Sequence, residues 1–238
     1  IAKAEKKSVR RAAEGLIGHM IAGQLGVLVE VNCETDFVAK NDGFKKYVKD
    51  LTDMIVKNKP SNVDELLSME MGGKKLKDYQ TELVATIGEN LGVRRFFTMQ
   101  AGNGEKIVQY VHSNNKVASM VVFTDPNCKL DDKLAREVAM HVTAMSPRYV
   151  RGNEVPADIL AKEKEIIKAQ MGETNKPADI LDKIVVGKLN KYLSEICLDD
   201  QVFVCDLESK KSVAMTLSSV DSAIKVRSFV RLQVGEDM

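Results

Sequence analysis

A motif near the middle of the chain recurs at its end, and this repetition constrains the fold more than any other feature of the sequence. Residues 92–103 read GVRRFFTMQAGN, and residues 225–236 read KVRSFVRLQVGE. The same residue types recur in register, at Val93, Arg94, Phe96, Gln100 and Gly102 and again at Val226, Arg227, Phe229, Gln233 and Gly235. Such repetition indicates that one supersecondary unit occurs twice in the chain.

Each copy of the motif follows a similar series of predicted elements. Two apolar runs on either side of a turn predict a β-hairpin, and apolar residues that share one helical face predict a helix. The predicted elements are hairpins over 16–31 and 106–125, helices over about 37–59, 76–92 and 131–145, and strands over 93–102 and 225–236. The first copy therefore has the order hairpin, helix, helix, strand, and we interpret the second copy, with its hairpin, helix and final strand, as the same unit.

The second copy contains an insertion of roughly 40 residues, a length that a loop can absorb at low entropic cost. Residues 156–171 and 177–197 both begin with Pro-Ala-Asp, and a proline at the first position favours a helix start. Both segments are polar on most faces, which disfavours an ordinary core position. They predict an antiparallel helical hairpin, or coiled coil, inserted at about 157–197, with a short turn over 172–176.

These elements predict an α+β fold of two related units. Each unit is a three-stranded antiparallel sheet packed with helices, and the second unit carries the helical hairpin. The predicted organisation is a basic helix or linker over 1–14, a first subdomain over 15–103 and a second over 104–238. The lysines and arginines of the first segment fit a solvated helix face better than a nucleic-acid-binding arm.

Composition excludes several classes of protein. The net charge is +1, so the chain has no overall electrostatic preference for nucleic acid or for anionic membranes. No apolar run approaches the roughly 20 residues of a membrane helix, and no signal-peptide pattern opens the chain. The four cysteines form no CxxC pair, which disfavours a zinc site or a disulfide framework and fits a reducing compartment.

Motifs for nucleotide binding and catalysis are also missing from the sequence. Residues 72–75, GGKK, lack the spaced first glycine and the Ser/Thr of a phosphate-binding loop, and residues 102–104 predict a turn. No glycine-rich oxyanion segment accompanies Cys33, so a hydrolase built from Cys33, His19 and Asp36 is a weak alternative. We therefore expect a non-enzymatic protein-binding module with no cofactor, no metal and no direct contact with a nucleotide.

The polar cluster after the first hairpin contains one unusual aromatic residue. The stretch VNCETDFVAKN, residues 31–41, places Phe37 where a strand ends and a helix begins, a position that is normally polar. Phe37 fits a hydrophobic staple or core residue as well as a side chain presented to another protein, and Asp36 fits a plain helix N-cap. His112, near the turn of the second hairpin, is expected to be exposed, and His141 is expected to be a satisfied, semi-buried side chain.

Five segments of the chain carry a resemblance to a known family. Residues 30–44 contain the sequence TDFVAK, and the other segments are 3–15, 87–95, 139–150 and 227–237. Together they resemble translation elongation factor Ts, the nucleotide exchange factor of elongation factor Tu. The resemblance covers essentially the whole chain and implies a duplicated α+β core with a coiled-coil insertion in its second half. The family's N-terminal helical module and C-terminal helical extension would lie outside this chain.

The resemblance implies a guanine nucleotide exchange factor that binds elongation factor Tu in its GDP-bound and nucleotide-free states. The implied partner-binding residues are Asp36, Phe37, Ile87, Gly88 and His112, with Thr35 and Val38 in the supporting loop. The aspartate and the phenylalanine would intrude between helices of the partner's G domain near its Mg²⁺ site. GDP release would follow, and GTP would rebind during translation elongation.

A ribosome- or RNA-binding module of the translation apparatus is the alternative interpretation. The basic start of the chain favours it, as do four arginines that are expected to be exposed: Arg94, Arg95, Arg227 and Arg231. For an exchange factor we expect no membrane contact and no contact with nucleic acid. The expected location is the bacterial cytoplasm, with the mitochondrion or the plastid as the alternative.

Overall fold

A computed structural model describes residues 13–171 and 178–236. The turn predicted over 172–176 and nearly all of the helix predicted over 1–14 lie outside these residues. The strands are β1 (Glu14–Ala22), β2 (Leu25–Cys33), β3 (Glu70–Met71), β4 (Lys74–Lys75), β5 (Leu91–Gln100), β6 (Glu105–Val111), β7 (Val117–Thr124) and β8 (Lys225–Gln233). The helices are α1 (Asp36–Lys40), α2 (Asp42–Asn58), α3 (Val63–Ser68), α4 (Leu76–Ile87), α5 (Asp132–Met145), α6 (Ala157–Met171), α7 (Ala178–Ile196) and α8 (Val213–Val220). This mixture of helices and small sheets confirms the predicted α+β class.

The first sheet has the strand order β1-β2-β5. β1 and β2 pair antiparallel as the predicted hairpin, and the turn uses Gly23 at φ 61°, a conformation that glycine adopts without steric cost. β5 pairs antiparallel with β2, with an irregular register between Glu30 and Val31. The structure also contains a two-stranded ribbon, β3-β4, and a second three-stranded sheet in the order β6-β7-β8.

Helix α2 covers one face of the first sheet, and it buries the face that the apolar spacing predicts. The buried side chains of that face are Phe44, Tyr47, Val48, Leu51, Met54 and Ile55. Asn41 caps the start, since its side chain accepts hydrogen bonds from the backbone N–H groups of Gly43 and Phe44. The helix ends at Asn58, followed by Lys59 in the left-handed region and then by Pro60, as the sequence predicts.

The other face of the first sheet packs on residues from the second hairpin and the last strand. Ile17 and Leu28 form a buried cluster there with Ala118, Met120 and Leu232. A Cβ at Gly26 would collide with the Met120 side chain, so this glycine permits the close approach. Because the first sheet is covered on both faces, its central strand β2 is buried along nearly its whole length.

Among the described residues, several short pieces of structure have no counterpart in the sequence-based prediction. They are helix α3, the β3-β4 ribbon, helix α8 and two single-turn 3₁₀ helices at Gly152–Glu154 and Leu198–Asp200, and none is longer than the 8 residues of α8. Segments this short show less than two or three helical turns of periodicity, which is too little for the spacing of apolar residues to identify them. The ribbon turns through Gly72 and Gly73, both at positive φ, where the sequence predicts a loop.

Contacts between residues divide the chain into two compact units. The first contains Ile1–Val122 and Phe229–Met238, and the second contains Phe123–Ser228. In the second unit, α6 and α7 contact each other, and a cluster of Val155, Ile196 and Cys197 is buried near them. The subdomain boundary between residues 103 and 104 concerns the repeated units, and it stays a prediction. Among the described residues, no helix has the length and apolar character that crossing a bilayer requires.

Candidate functional site

Helix α1 forms a corner between the end of β2 and the start of α2. Its inward residues, Val38 and Ala39, are buried in the core of the first unit, whereas the Phe37 side chain is 80% exposed. Successive helical residues are rotated by about 100°, so a single turn that buries two neighbours must direct the third outward. The structure therefore excludes both a core position and a hydrophobic staple for Phe37.

Asp36 is the first residue of α1 rather than its N-cap. The cap is Thr35, whose hydroxyl accepts a hydrogen bond from the Val38 N–H. The interpretation of Asp36 as a plain N-cap is wrong, because such a cap requires the helix to begin at Phe37, whereas it begins one residue earlier, at Asp36 itself. Asp36 instead pairs with Lys40 one turn further on, at 2.7 Å between Oδ2 and Nζ. This hydrogen bond lowers the pKa of Asp36 and raises the pKa of Lys40.

A pair of carboxylates joins this corner to the loop that follows α4. The Thr35 backbone N–H donates to Glu89 Oε2 at 3.0 Å, and the Thr35 hydroxyl donates to Glu89 Oε1 at 2.7 Å. In the opposite direction, the Asn90 backbone N–H donates to Glu34 Oε1 at 2.8 Å. Two segments that are 54 residues apart in sequence are thereby held side by side.

Ile87 and Gly88 lie directly before this junction, at the end of α4. Gly88 has φ 88° and its N–H bonds to the Val84 carbonyl, so it ends the helix in the left-handed conformation that favours glycine. Ile87 is partly buried against the core of the first unit. The structure thus brings the Ile87–Gly88 turn and the α1 corner together through Glu89 and its neighbours.

His112 begins the turn between β6 and β7, and it is exposed as the sequence predicts. Its backbone carbonyl accepts a hydrogen bond from Asn115, and the Asn115 carbonyl accepts one from Ile17 in β1 at 2.8 Å. The next residue, Lys116, pairs with Glu14, and its charge also contributes to the lowered pKa of Asp36. The turn that carries His112 is therefore attached to β1. The first residue of β1, Glu14, lies opposite Cys33 at the end of β2, shortly before α1 begins.

The hydrolase alternative requires Cys33 to be near His19, and the strand register separates them. Cys33 lies opposite Glu14 and His19 lies opposite Leu28, so they are five strand positions apart, or roughly 17 Å. Cys33 is also buried, with its thiol directed at the Thr35 carbonyl, and burial raises its pKa to about 12. A thiol in this environment is not a nucleophile at neutral pH.

The arginines that suggested RNA binding are mostly engaged within the protein. Arg94 and Arg95 pair with the buried carboxylate of Glu30 at 3.2 and 2.7 Å. Arg231 is only 13% exposed and pairs with a carboxylate near the end of the chain. The expectation of exposure is therefore wrong for these three arginines, and it holds for Arg227. The interpretation as a ribosome- or RNA-binding module loses most of its support, because contacts with phosphate groups need accessible cations.

His141 lies in the second unit and is fully buried, more deeply than the sequence predicts. Its Nδ1 accepts from the Val204 N–H at 3.1 Å, so Nε2 carries the hydrogen that Gln201 Oε1 accepts at 3.0 Å. Both ring nitrogens are therefore satisfied, as predicted. Within the described residues, no group of His, Cys, Asp and Glu side chains has an arrangement that could hold a metal ion.

Glu34, Glu89 and Asn90 are the residues of this site that sequence reasoning missed. Glu89 and Asn90 stand in the IGEN segment, beside the two residues that the family resemblance identified. Their role depends on partners more than 50 residues away, and no local periodicity reports such a contact. The one feature of the sequence that could have drawn attention to Glu89 is its place directly after Gly88, the glycine that ends α4.

Comparison with known proteins agrees with the resemblance of the five segments. The sequence model of the family described as "Elongation factor TS" matches residues 34–236. The chain is 41% identical over 236 residues to Elongation factor Ts of Pediococcus pentosaceus, covering 99% of this chain and 78% of that protein. It is 42% identical to Elongation factor Ts of Saccharophagus degradans, covering 98% and 77%, and 38% identical to that of Spiroplasma citri, covering 99% and 79%. The chain therefore belongs to the elongation factor Ts family of translation elongation factors.

Proposed function

We propose that this chain promotes the release of GDP from elongation factor Tu and so allows GTP to rebind during translation elongation. The observation that carries the proposal is the Phe37 side chain, an apolar ring that is 80% exposed on a helix whose neighbouring residues are buried. Phe37 is the most exposed of the large apolar side chains among the described residues. A ring that is presented in this way is available to be buried in a partner, where an aromatic side chain contributes a large apolar area.

The mechanism is a difference in affinity between two states of the partner. A GTPase holds GDP through a phosphate-binding loop and Mg²⁺. If this chain binds best to a G domain in which that site is distorted, it weakens GDP binding by the same factor by which GDP weakens its own binding. Phe37 and Asp36 are the residues that would intrude beside the Mg²⁺ site, and Ile87, Gly88 and His112 would contact the same domain.

The size of the Phe37 ring determines how strongly we expect it to accelerate GDP release. Burying a phenylalanine side chain contributes roughly 1.5–3 kcal/mol, and each 1.36 kcal/mol changes a rate about tenfold. A single ring is therefore sufficient to hold a shifted helix of the partner and to change GDP release by one to two orders of magnitude. The Asp36 carboxylate would add charge beside a site that Mg²⁺ occupies, although its pairing with Lys40 limits that effect.

The finer features of the fold belong to the same proposal. The two three-stranded sheets support a duplicated unit, and the contact between α6 and α7 supports the inserted coiled coil in the second copy. In this proposal the coiled coil and the second unit contact a different domain of the partner. The protein acts as an exchange factor rather than an enzyme, in the bacterial cytoplasm, with an organelle as the alternative location.

The test is the release of fluorescently labelled GDP from purified elongation factor Tu after this chain and unlabelled nucleotide are added. We expect the chain to accelerate release by orders of magnitude and Phe37→Ala to slow the accelerated rate at least tenfold. Phe97→Ala is the matched control, because Phe97 is the same residue type, is 40% exposed and lies on β5 of the first unit, outside the α1 corner. An equal rate for Phe37→Ala and Phe97→Ala would remove the role assigned to the Phe37 ring.

A further inference from the structure

Glu89 makes two hydrogen bonds to a single residue, Thr35, and this arrangement has consequences for Phe37. One carboxylate oxygen accepts the Thr35 backbone N–H at 3.0 Å, and the other accepts the Thr35 hydroxyl at 2.7 Å. Both bonds have an ionised acceptor and are therefore stronger than bonds between neutral groups. Glu89 thus holds the backbone and the side chain of the residue that caps α1.

The bond from the Thr35 hydroxyl to Glu89 also determines how the hydroxyl is oriented towards the first turn of α1. A threonine hydroxyl has one hydrogen and two lone pairs. Because the hydrogen is given to Glu89, the lone pairs are left for the Val38 N–H, which lies 3.4 Å from Thr35 Oγ1. Without Glu89 the hydroxyl could rotate, and the N-cap of α1 would lose its fixed orientation.

Helix α1 needs such support because it is only 5 residues long. Forming one isolated helical turn is unfavourable in water, so its order must come from contacts outside the helix. Val38 and Ala39 provide an apolar contact on the inner side, and the Glu34–Asn90 bond at 2.8 Å ties the preceding residue to the same loop. Because the Phe37 side chain is 80% exposed, little of its surface packs against the rest of the protein, and its direction depends on the backbone of α1.

We propose that Glu89 is a positioning residue, which holds the cap of α1 from the neighbouring loop and thereby presents Phe37 in one orientation. Glu89 directly follows Gly88, so its two bonds to Thr35 also place the α1 corner beside the Ile87–Gly88 turn. The effect on GDP release rests on the function proposed above, whereas the effect on the orientation of Phe37 does not.

The orientation is tested without any partner protein. The chain contains no tryptophan, so Phe37→Trp introduces a single indole, whose fluorescence anisotropy reports local motion at this corner. We expect Glu89→Ala to lower that anisotropy, and Glu89→Gln, which keeps one carbonyl oxygen as acceptor, to lower it less. Glu82→Ala is the matched control, since Glu82 is a carboxylate of α4, the helix that precedes Glu89, and it pairs with Lys74 instead of Thr35. Equal anisotropy in the Glu89→Ala and Glu82→Ala variants would overturn the proposal.

The consequence for exchange is tested by a double-mutant cycle with Phe37. Glu89→Ala alone is expected to slow labelled-GDP release by roughly three- to tenfold, the factor that corresponds to loss of a hydrogen-bonded cap. In the Phe37→Ala background it should have almost no further effect, because residues that act through one another are not additive. A full additional loss in that background would show that Glu89 acts independently of Phe37 and would overturn the positioning role.

The two proposals fail in different ways. If the unaltered chain does not accelerate GDP release but Glu89→Ala still lowers the anisotropy, the exchange function is wrong and the positioning role stands. If the chain accelerates release and Phe37→Ala abolishes the effect, while Glu89→Ala leaves both anisotropy and rate unchanged, the exchange function stands and the positioning role is wrong.

Discussion

The carboxylate of Glu30 supports the sharpest prediction about stability, because it is ionisable and fully buried at the centre of β2. It accepts hydrogen bonds from Arg95 Nε at 2.7 Å, from the Gly235 N–H at 2.9 Å, from Asn32 at 3.1 Å and from Arg94 at 3.2 Å. These bonds join β2 to β5 and to the residues after β8 within the first unit. Glu30→Ala would remove all of them at once.

The expected loss of stability follows from the two arginine charges that Glu30→Ala leaves without their carboxylate partner. Removing one partner of a buried ion pair costs about 3–5 kcal/mol, because the other charge stays without compensation. Arg94 and Arg95 are 27% and 15% exposed, so water partly compensates them and the lower end of that range applies. We expect Glu30→Ala to lower the free energy of unfolding by about 3 kcal/mol. Glu30→Gln keeps the size and one acceptor oxygen, and we expect it to cost about half as much.

The measurement is urea unfolding at pH 7, followed by circular dichroism, with the free energy taken from the midpoint and slope. Glu82→Ala serves as the control, because its exposed pairing with Lys74 contributes at most about 1 kcal/mol. A loss below about 1 kcal/mol for Glu30→Ala would contradict the reasoning, since it would mean that the arginines and the Gly235 N–H are equally well satisfied without the carboxylate.

The same carboxylate predicts a dependence on pH. Burial would raise the pKa of Glu30, but the hydrogen bonds from Gly235, Asn32 and Arg95, together with the arginine charge, hold the pKa below its ordinary value of 4.5. The unfolded chain therefore binds the proton first as the pH falls. The stabilisation is fully present above pH 4.5 and is lost as the pH falls towards the lower folded value. The difference between the unaltered chain and Glu30→Gln should shrink over that window.

Two further predictions concern His141 and Asp36. Burial lowers the pKa of His141, against a smaller opposing effect of its bond to Gln201, so stability should fall as the pH drops below the ordinary value of 6.5. The urea midpoint of His141→Gln should change less between pH 7.5 and 5.5 than that of the unaltered chain, and equal changes would show that another group titrates. Asp36→Asn should leave the urea midpoint unchanged, because Thr35 is the cap and the pair with Lys40 is exposed. A slower labelled-GDP release by that variant would assign the carboxylate to the partner, whereas a lowered midpoint would contradict the assignment of the cap.

Much of the secondary structure could be predicted from local features of the chain. The face of α2 follows from apolar spacing, and the end of α4 follows from Gly88, which can adopt φ 88° without a steric penalty. Both hairpins are also confirmed, because alternating apolar runs on either side of a turn specify them within about 20 residues. The family too could be identified from short segments of sequence, and the comparisons confirm it.

Properties of side chains that depend on distant partners could not be predicted in this way. Thr35 rather than Asp36 caps α1, because Glu89 holds its hydroxyl from 54 positions away. Arg95 is engaged rather than exposed, because the strand register places it opposite Glu30, 65 positions earlier. The partner-binding roles of the corner residues stay predictions.

Secondary structure could be predicted and the partners of polar side chains could not, and this difference has one physical reason. Backbone propensity and the period of apolar residues act over a few neighbouring residues, so the chain carries that information in each short segment. The partner of a buried or half-buried polar group is instead set by packing, which brings together groups as far apart as Glu30 and Gly235, separated by 205 positions. The sequence indicated that Phe37 is unusual, and the fold shows the cap of Thr35 and Glu89 that holds the helix from which its ring projects into solvent.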